Sequence, residues 1–134
     1  MAKNLFVSAI CAGIAAGLLA SVLQFEFVIP LLLEGELYET GARVHFGADG
    51  SPQSDRGAPS LGGDWARHSM TVAFNIVTYT GYGLLLAAMI SFAALKGITT
   101  SARQGLIWGL CGYIAVQLAP AFGLPPELPG TIAA

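Results

Sequence analysis

The chain has 134 residues, of which 54% are hydrophobic and 10% charged, with six Lys or Arg against eight Asp or Glu and a net charge of -2. An ordinary soluble domain carries about 25% charged residues, and a nucleic-acid partner calls for a basic footprint that is missing here. With both cysteines, Cys11 and Cys111, inside apolar runs, these numbers exclude a soluble enzyme, a nucleic-acid-binding domain and a disulfide-stapled secreted module.

Three stretches hold no Asp, Glu, Lys or Arg: Asn4 to Phe25, His68 to Leu95 and Gln104 to Pro126, of 22, 28 and 23 residues. A bilayer core takes about 20 apolar residues per helical span. The pattern therefore predicts an all-α polytopic membrane protein. It is a single membrane domain over 1–134, with three transmembrane helices and a long polar loop between the first and the second.

Span one covers about 5–26. Its charge-free run is longer than the ~7–15 residues of a signal-peptide core, so it reads as a retained span. Proline lacks an N–H and clashes with the preceding turn, so Pro30 predicts a bend or an end to the helix. The segment LLLEGELYE, Leu31 to Glu39, reads as interfacial, and Thr40 to Arg67 turns to Gly, Ser, Pro, Asp and Arg, the chemistry of a loop that is mobile or folds against a partner. The outer loop is set at 34–67. Span two covers 70–95, a link from Lys96 to Arg103 follows, and span three covers 105–122. Proline-rich GLPPELPG, Gly123 to Gly130, cannot form a regular helix and predicts a surface-hugging cap over 123–130.

Orientation follows from the cations, because Lys and Arg in short loops stay cytoplasmic. Lys96 and Arg103 place the short link inside, and alternation puts the acidic loop outside, the N-terminus inside and the C-terminus outside.

Small residues indicate how the spans meet. Gly13 and Gly17, Ala12 and Ala16, and Gly105 and Gly109 are spaced as small-xxx-small pairs, which allow close backbone approach in lipid; the same spacing also arises by chance in any Gly- and Ala-rich span. Polar groups gather in one leaflet: Gln24 and Glu26, then Asn75, Thr78 and Thr80, then Gln117. Gln24, Asn75, Gln117 and Glu127 form a candidate vestibule lining. The alternative is that the amides bond neighbouring helices while Glu26 sits among headgroups.

Glu26, Glu34, Glu36, His45 and His68 are the candidate metal ligands, since oxygen together with imidazole suits Co, Ni or Zn. No HxH, HxxxH or CxxC spacing accompanies them, and two isolated loop histidines serve equally as solvent-exposed bystanders. Cys11 and Cys111 read as apolar fillers, and Trp65, Tyr79 and Trp108 as interfacial anchors or packing. No Ser-His-Asp arrangement, phosphate cradle or haem-attachment motif is present, so no catalytic residue is assigned and the chain is not expected to be an enzyme.

The run GLIWGLCGYIAVQLAPAFGLPPELPG, Gly105 to Gly130, resembles the signature of the CbtA-type predicted cobalt transporter subunits. QFEFVIPLLLEGELYE, Gln24 to Glu39, and FNIVTYTGYGLLL, Phe74 to Leu86, extend the resemblance. It implies a bacterial inner-membrane protein importing cobalt for cobalamin synthesis, together with a small single-span, histidine-tailed CbtB-type subunit. Positions matching the family's pattern are Gln24, Glu34, Glu36, Asn75, Pro120, Pro125, Pro126, Glu127 and Pro129. With three spans the chain resembles a truncated member, and a translocation path needs walls on all sides, so self-association or a further membrane chain is expected.

The sequence thus leads to a subunit of a divalent-metal, cobalt, transport system, with Co²⁺ as the transported ion and no permanently bound cofactor. The rival reading is a non-transporting scaffold or assembly subunit of a larger membrane complex.

Overall fold

A computed structural model describes residues 2–47, 49–51 and 57–124. Helix α1, Ala2–Leu23, runs into a π-helical turn, Gln24–Val28, and on into α2, Ile29–Glu39. After an irregular loop come α3, Trp65–Leu95, and α4, Ala102–Tyr113, which passes through a second π-turn, Ile114–Leu118, into α5, Ala119–Gly123. Every regular element among the described residues is a helix, and three of these helical units are long and apolar enough to cross a membrane.

The first helix does not end at Pro30; Lys3–Glu39 is one helix of 37 residues. The π-turn explains how. Pro30 has no N–H to donate and its ring crowds the carbonyl four residues back. One extra residue in the turn lets Ile29 donate instead to Gln24 O, five residues away, so the helix widens rather than breaks. It stops at Glu39, where Thr40 donates its N–H to Glu36 O at 3.0 Å and Gly41 takes φ +74°, a conformation that favours glycine.

Both later helices start ahead of their apolar runs because polar residues cap them. Asp64 Oδ1 accepts from the Arg67 N–H at 3.0 Å, which starts α3 at Trp65. Ser101 and Gln104 form a reciprocal capping box, with Ser101 N–H to Gln104 Oε1 at 2.8 Å and Gln104 N–H to Ser101 Oγ at 3.3 Å, which starts α4 at Ala102.

Packing is concentrated in one antiparallel pair, α1 against α3. Ala9, Gly13, Gly17 and Ser21, each four residues apart and so on one face, are all buried. A Cβ on Gly17 would lie 2.6 Å from Ile76 Cα, one on Gly13 would lie 2.9 Å from Thr80 N, and one on Gly83 would lie 2.9 Å from Ala9 O. The backbones therefore touch along the seam, which is how helices gain dispersion energy where lipid removes the hydrophobic drive. Of the two offset small pairs in span one, Gly13 and Gly17 form the contact, whereas Ala12 is exposed. The third span buries no residue, and Gly105 and Gly109 face open space.

Candidate functional site

The polar groups of the helix pair collect where it meets the long loop. Ser21, on the buried stripe of α1, donates to Gly17 O at 2.8 Å and so needs no further acceptor. Asn75 of α3 donates its amide to Ser21 Oγ at 3.1 Å and to Gln24 Oε1 at 2.7 Å. This clasp lies one helical turn above the Gly17–Ile76 contact and fixes the register of the two helices. Thr80, beside Gly13, has a buried hydroxyl with no hydrogen-bond partner.

Just beyond the clasp, the Phe25 and Trp65 rings stand edge-on to His68, with centroids 5.4 and 6.1 Å away. His68 Nε2 donates to Leu61 O at 3.1 Å, leaving Nδ1 buried and without a partner. These side chains, with Ser69 and Val72, line an open, almost wholly apolar recess of about 510 Å³. Its apolar wall disfavours a bare ion.

The α2 arm is tied down by arginines. Arg67 holds Glu36 through both guanidinium nitrogens, Nη1 to Oε2 at 3.1 Å and Nη2 to Oε1. Arg43 Nη1 reaches Glu34 Oε1 at 3.4 Å. Residues two apart on a helix point about 200° from each other, so Glu34 and Glu36 serve different neighbours: Glu34 the loop, Glu36 the start of α3. Tyr38, one turn after Glu34, stacks on His45 with ring centroids 4.2 Å apart and planes 4° from parallel. Further along the loop, the Ser51 hydroxyl donates to Asp49 Oδ1 at 2.6 Å and the Ser51 N–H at 3.0 Å, which holds the Asp49 carboxyl below its ordinary range.

The structure brings some of the sequence-derived candidates together and separates others. Gln24 and Asn75 meet. Glu34 and Glu36 are each engaged by an arginine, His45 lies on Tyr38, His68 faces the aromatic recess, and Glu26 is exposed on the π-turn. Among the described residues, no three His, Cys, Asp or Glu side chains gather as a set that could hold a metal ion. Gln117 is exposed on the third span, away from the clasp, and Glu127, Pro125, Pro126 and Pro129 lie outside the described residues, as does most of the 123–130 cap. Sequence reasoning did not find Ser21, Phe25 or the Arg67 tie. Ser21 was legible as the fourth member of the i, i+4 small-residue stripe; the Arg67 tie joins residues 31 positions apart, and no local pattern encodes it.

A glycine-sealed helix pair, a third apolar helix and a polar mouth define a polytopic α-helical membrane protein. Residues 2–134 match the family CbtA, described as "Probable cobalt transporter subunit", and the chain belongs to that family. No curated protein and no solved structure matches it.

Proposed function

We propose that this chain is a subunit of a system importing a divalent cation, cobalt, across the bacterial inner membrane for cobalamin synthesis. The observation that carries the reading is the family match along essentially the whole chain. The N-terminus is cytoplasmic and the loop end of the helix pair faces outward, as the positions of Lys96 and Arg103 indicate. Three spans enclose no path alone. A single-span, histidine-tailed CbtB-type subunit, with further copies of this chain, supplies the remaining walls.

Cation capture at the loop end works by exchange. An arriving ion competes with Arg43 for Glu34 and with Arg67 for Glu36, one carboxylate at a time because the two point apart. His45 adds imidazole, which discriminates Co, Ni or Zn from the more abundant Mg and Ca, and Glu26 marks the way past the π-turn. Gln24 and Asn75, at the loop end of the helix pair, line the entry. The scaffold alternative draws on a specific observation: Asn75, Gln24 and Ser21 hydrogen-bond one another across a seam that glycine contacts close.

The deciding experiment is Co²⁺ accumulation by cells expressing the chain with and without its partner subunit. Uptake that depends on the chain and falls with Glu34→Ala plus Glu36→Ala supports transport. Background accumulation in both cases, with the double variant inert, leaves the scaffold reading. Orientation has a separate check: Ser51→Cys reacts with an impermeant maleimide in intact cells if the loop is outside.

A further inference from the structure

The recess at the loop end combines an apolar wall with one unmet polar requirement. Phe25, Leu61, Trp65 and Val72 supply the wall, and the Phe25 and Trp65 rings both stand within 6.1 Å of the His68 ring. Trp65 is 79% exposed and Leu61 44%. The polar requirement comes from His68. Leu61 O can only accept, so Nε2 carries the proton, and Nδ1, buried and without a partner among the described residues, presents a lone pair that calls for a donor. Lipid chains against an aromatic belt would account for the exposed rings and leave that lone pair unmet.

The chain itself carries a segment of matching chemistry at the same end of the helices. The third helical unit, Ala102–Gly123, starts at the link that follows α3 and is long enough to return across the membrane to the loop end. There Leu124 takes φ −104° and ψ 112°, the extended conformation favoured before a proline. Residues 125–129 read Pro-Pro-Glu-Leu-Pro. Prolines at this density favour a left-handed polyproline helix, which turns every three residues and leaves its backbone N–H groups free. On such a helix Pro126 and Pro129 share one edge, Pro125 and Leu128 a second, and Glu127 lies on the third. Two edges are thus apolar and one is charged. Reach also agrees. At 1.5 Å per residue His68 stands about 40 Å from the link and Gly123 about 32 Å, and neighbouring helix axes lie about 8–10 Å apart. About four or five residues at ~3.1 Å each cover that distance.

We propose that residues 125–129 dock in this recess as a polyproline helix of the same chain. Pro126 and Pro129, one turn and ~9 Å apart, lie on the Phe25 and Trp65 rings, in the manner of proline-rich segments in aromatic-lined grooves. Leu128 packs toward Leu61 and Val72 and gives its N–H to His68 Nδ1, while Glu127 stays in water. Proline is already restricted before it docks, so a short segment loses little entropy on binding. The docked segment roofs the mouth of the α1–α3 pair and ties to it the outer end of the third span, which buries no residue of its own. The docking depends on the third span crossing the membrane and not on what the protein transports.

The test is disulfide trapping in the full chain in native membranes, with Cys11→Ser and Cys111→Ser removing the native thiols. Leu128→Cys is paired either with Ser69→Cys, on the recess, or with Met70→Cys, which lies about 200° round the helix from His68. Mild oxidation is expected to close the Ser69→Cys pair within one chain several-fold faster than the Met70→Cys pair. Pro126→Ser with Pro129→Ser, or Trp65→Ala, should remove the difference. Equal rates at the two positions, a bond between chains instead of within one, or a difference that survives the proline changes overturns the docking. A second reading needs no cysteine. In Trp108→Phe, where Trp65 is the only tryptophan left, aqueous iodide should quench its fluorescence several-fold more strongly after Pro126→Ser with Pro129→Ser. Quenching that the prolines do not alter overturns the docking too, since lipid alone then covers the ring.

Discussion

Asn75 and Gln24 meet across the α1–α3 seam, the Asn75 amide donating to Gln24 Oε1 at 2.7 Å and, through the same nitrogen, to Ser21 Oγ at 3.1 Å. Hydrogen bonds between membrane helices contribute about 0.6 to 2 kcal/mol. Asn75→Ala is expected to lower the stability of the helix pair by roughly 1 kcal/mol, read as a shift in unfolding by denaturing detergent. Ser21→Ala should cost less, because Gln24 still accepts from Asn75. Equal losses for the two variants would show that the Gln24 bond contributes nothing.

Glycine substitutions separate the packed helix face from the open one. Gly17→Val drives a side chain into the Ile76 backbone and Gly13→Val into Thr80, and overpacking of this kind costs about 1–3 kcal/mol or more. Gly109→Val meets nothing within the chain. Purified protein carrying either α1 variant should unfold earlier in detergent, while Gly109→Val should unfold with the parent. A loss of co-purifying partner with Gly109→Val alone would show that the third span's glycines serve assembly.

The Glu36–Arg67 pair is exposed at the mouth of the helix pair, where water and salt screen it. Arg67→Gln should therefore leave thermal stability close to the parent while freeing the Glu36 carboxylate, and Co²⁺ binding at the loop end should tighten. Glu36→Arg with Arg67→Glu rebuilds the tie with its charges exchanged and should return binding toward the parent level. Calorimetric titration of the solubilised protein compares the three.

Asp49 gives a pH test of the loop. Its carboxyl is held below the ordinary value chiefly by the Ser51 hydroxyl and then by the Ser51 N–H. A folded-state pKa below the unfolded one contributes order that is present above the unfolded pKa and lost as pH falls through the folded one. The turn at Gly47–Ser51 should therefore persist down to below the usual aspartate range. Ser51→Ala should raise the Asp49 midpoint, followed by NMR titration of the side-chain carboxyl.

Much of this was legible in the residues. The charge-free runs show three spans because burying a charge in hydrocarbon is costly whatever the tertiary contacts. The Gly13–Gly17 spacing anticipates the closest helix contact. Helix ends were less legible: Asp64 and Ser101 extend α3 and α4 beyond their apolar runs, because capping depends on a few polar atoms rather than on hydropathy. Pro30 suggested a bend or an end to the first helix, and the π-turn carries the helix past it.

The candidate site divides along the same line. Glu34 and Glu36 look like a pair in sequence, yet a helix sends residues two apart to opposite sides, and each finds a different arginine. Composition and local spacing suffice for membrane residence, helix count and the polar character of the loop end, since these follow from solvation and from neighbours along the chain. Which glycine stripe seals the seam, which amide meets which, and which carboxylates are held by Arg43 and Arg67 were settled only by the fold. The side-chain hydrogen bonds among them join residues up to 54 positions apart and the glycine contacts residues further apart still, and only the antiparallel docking of α3 on α1 brings them together.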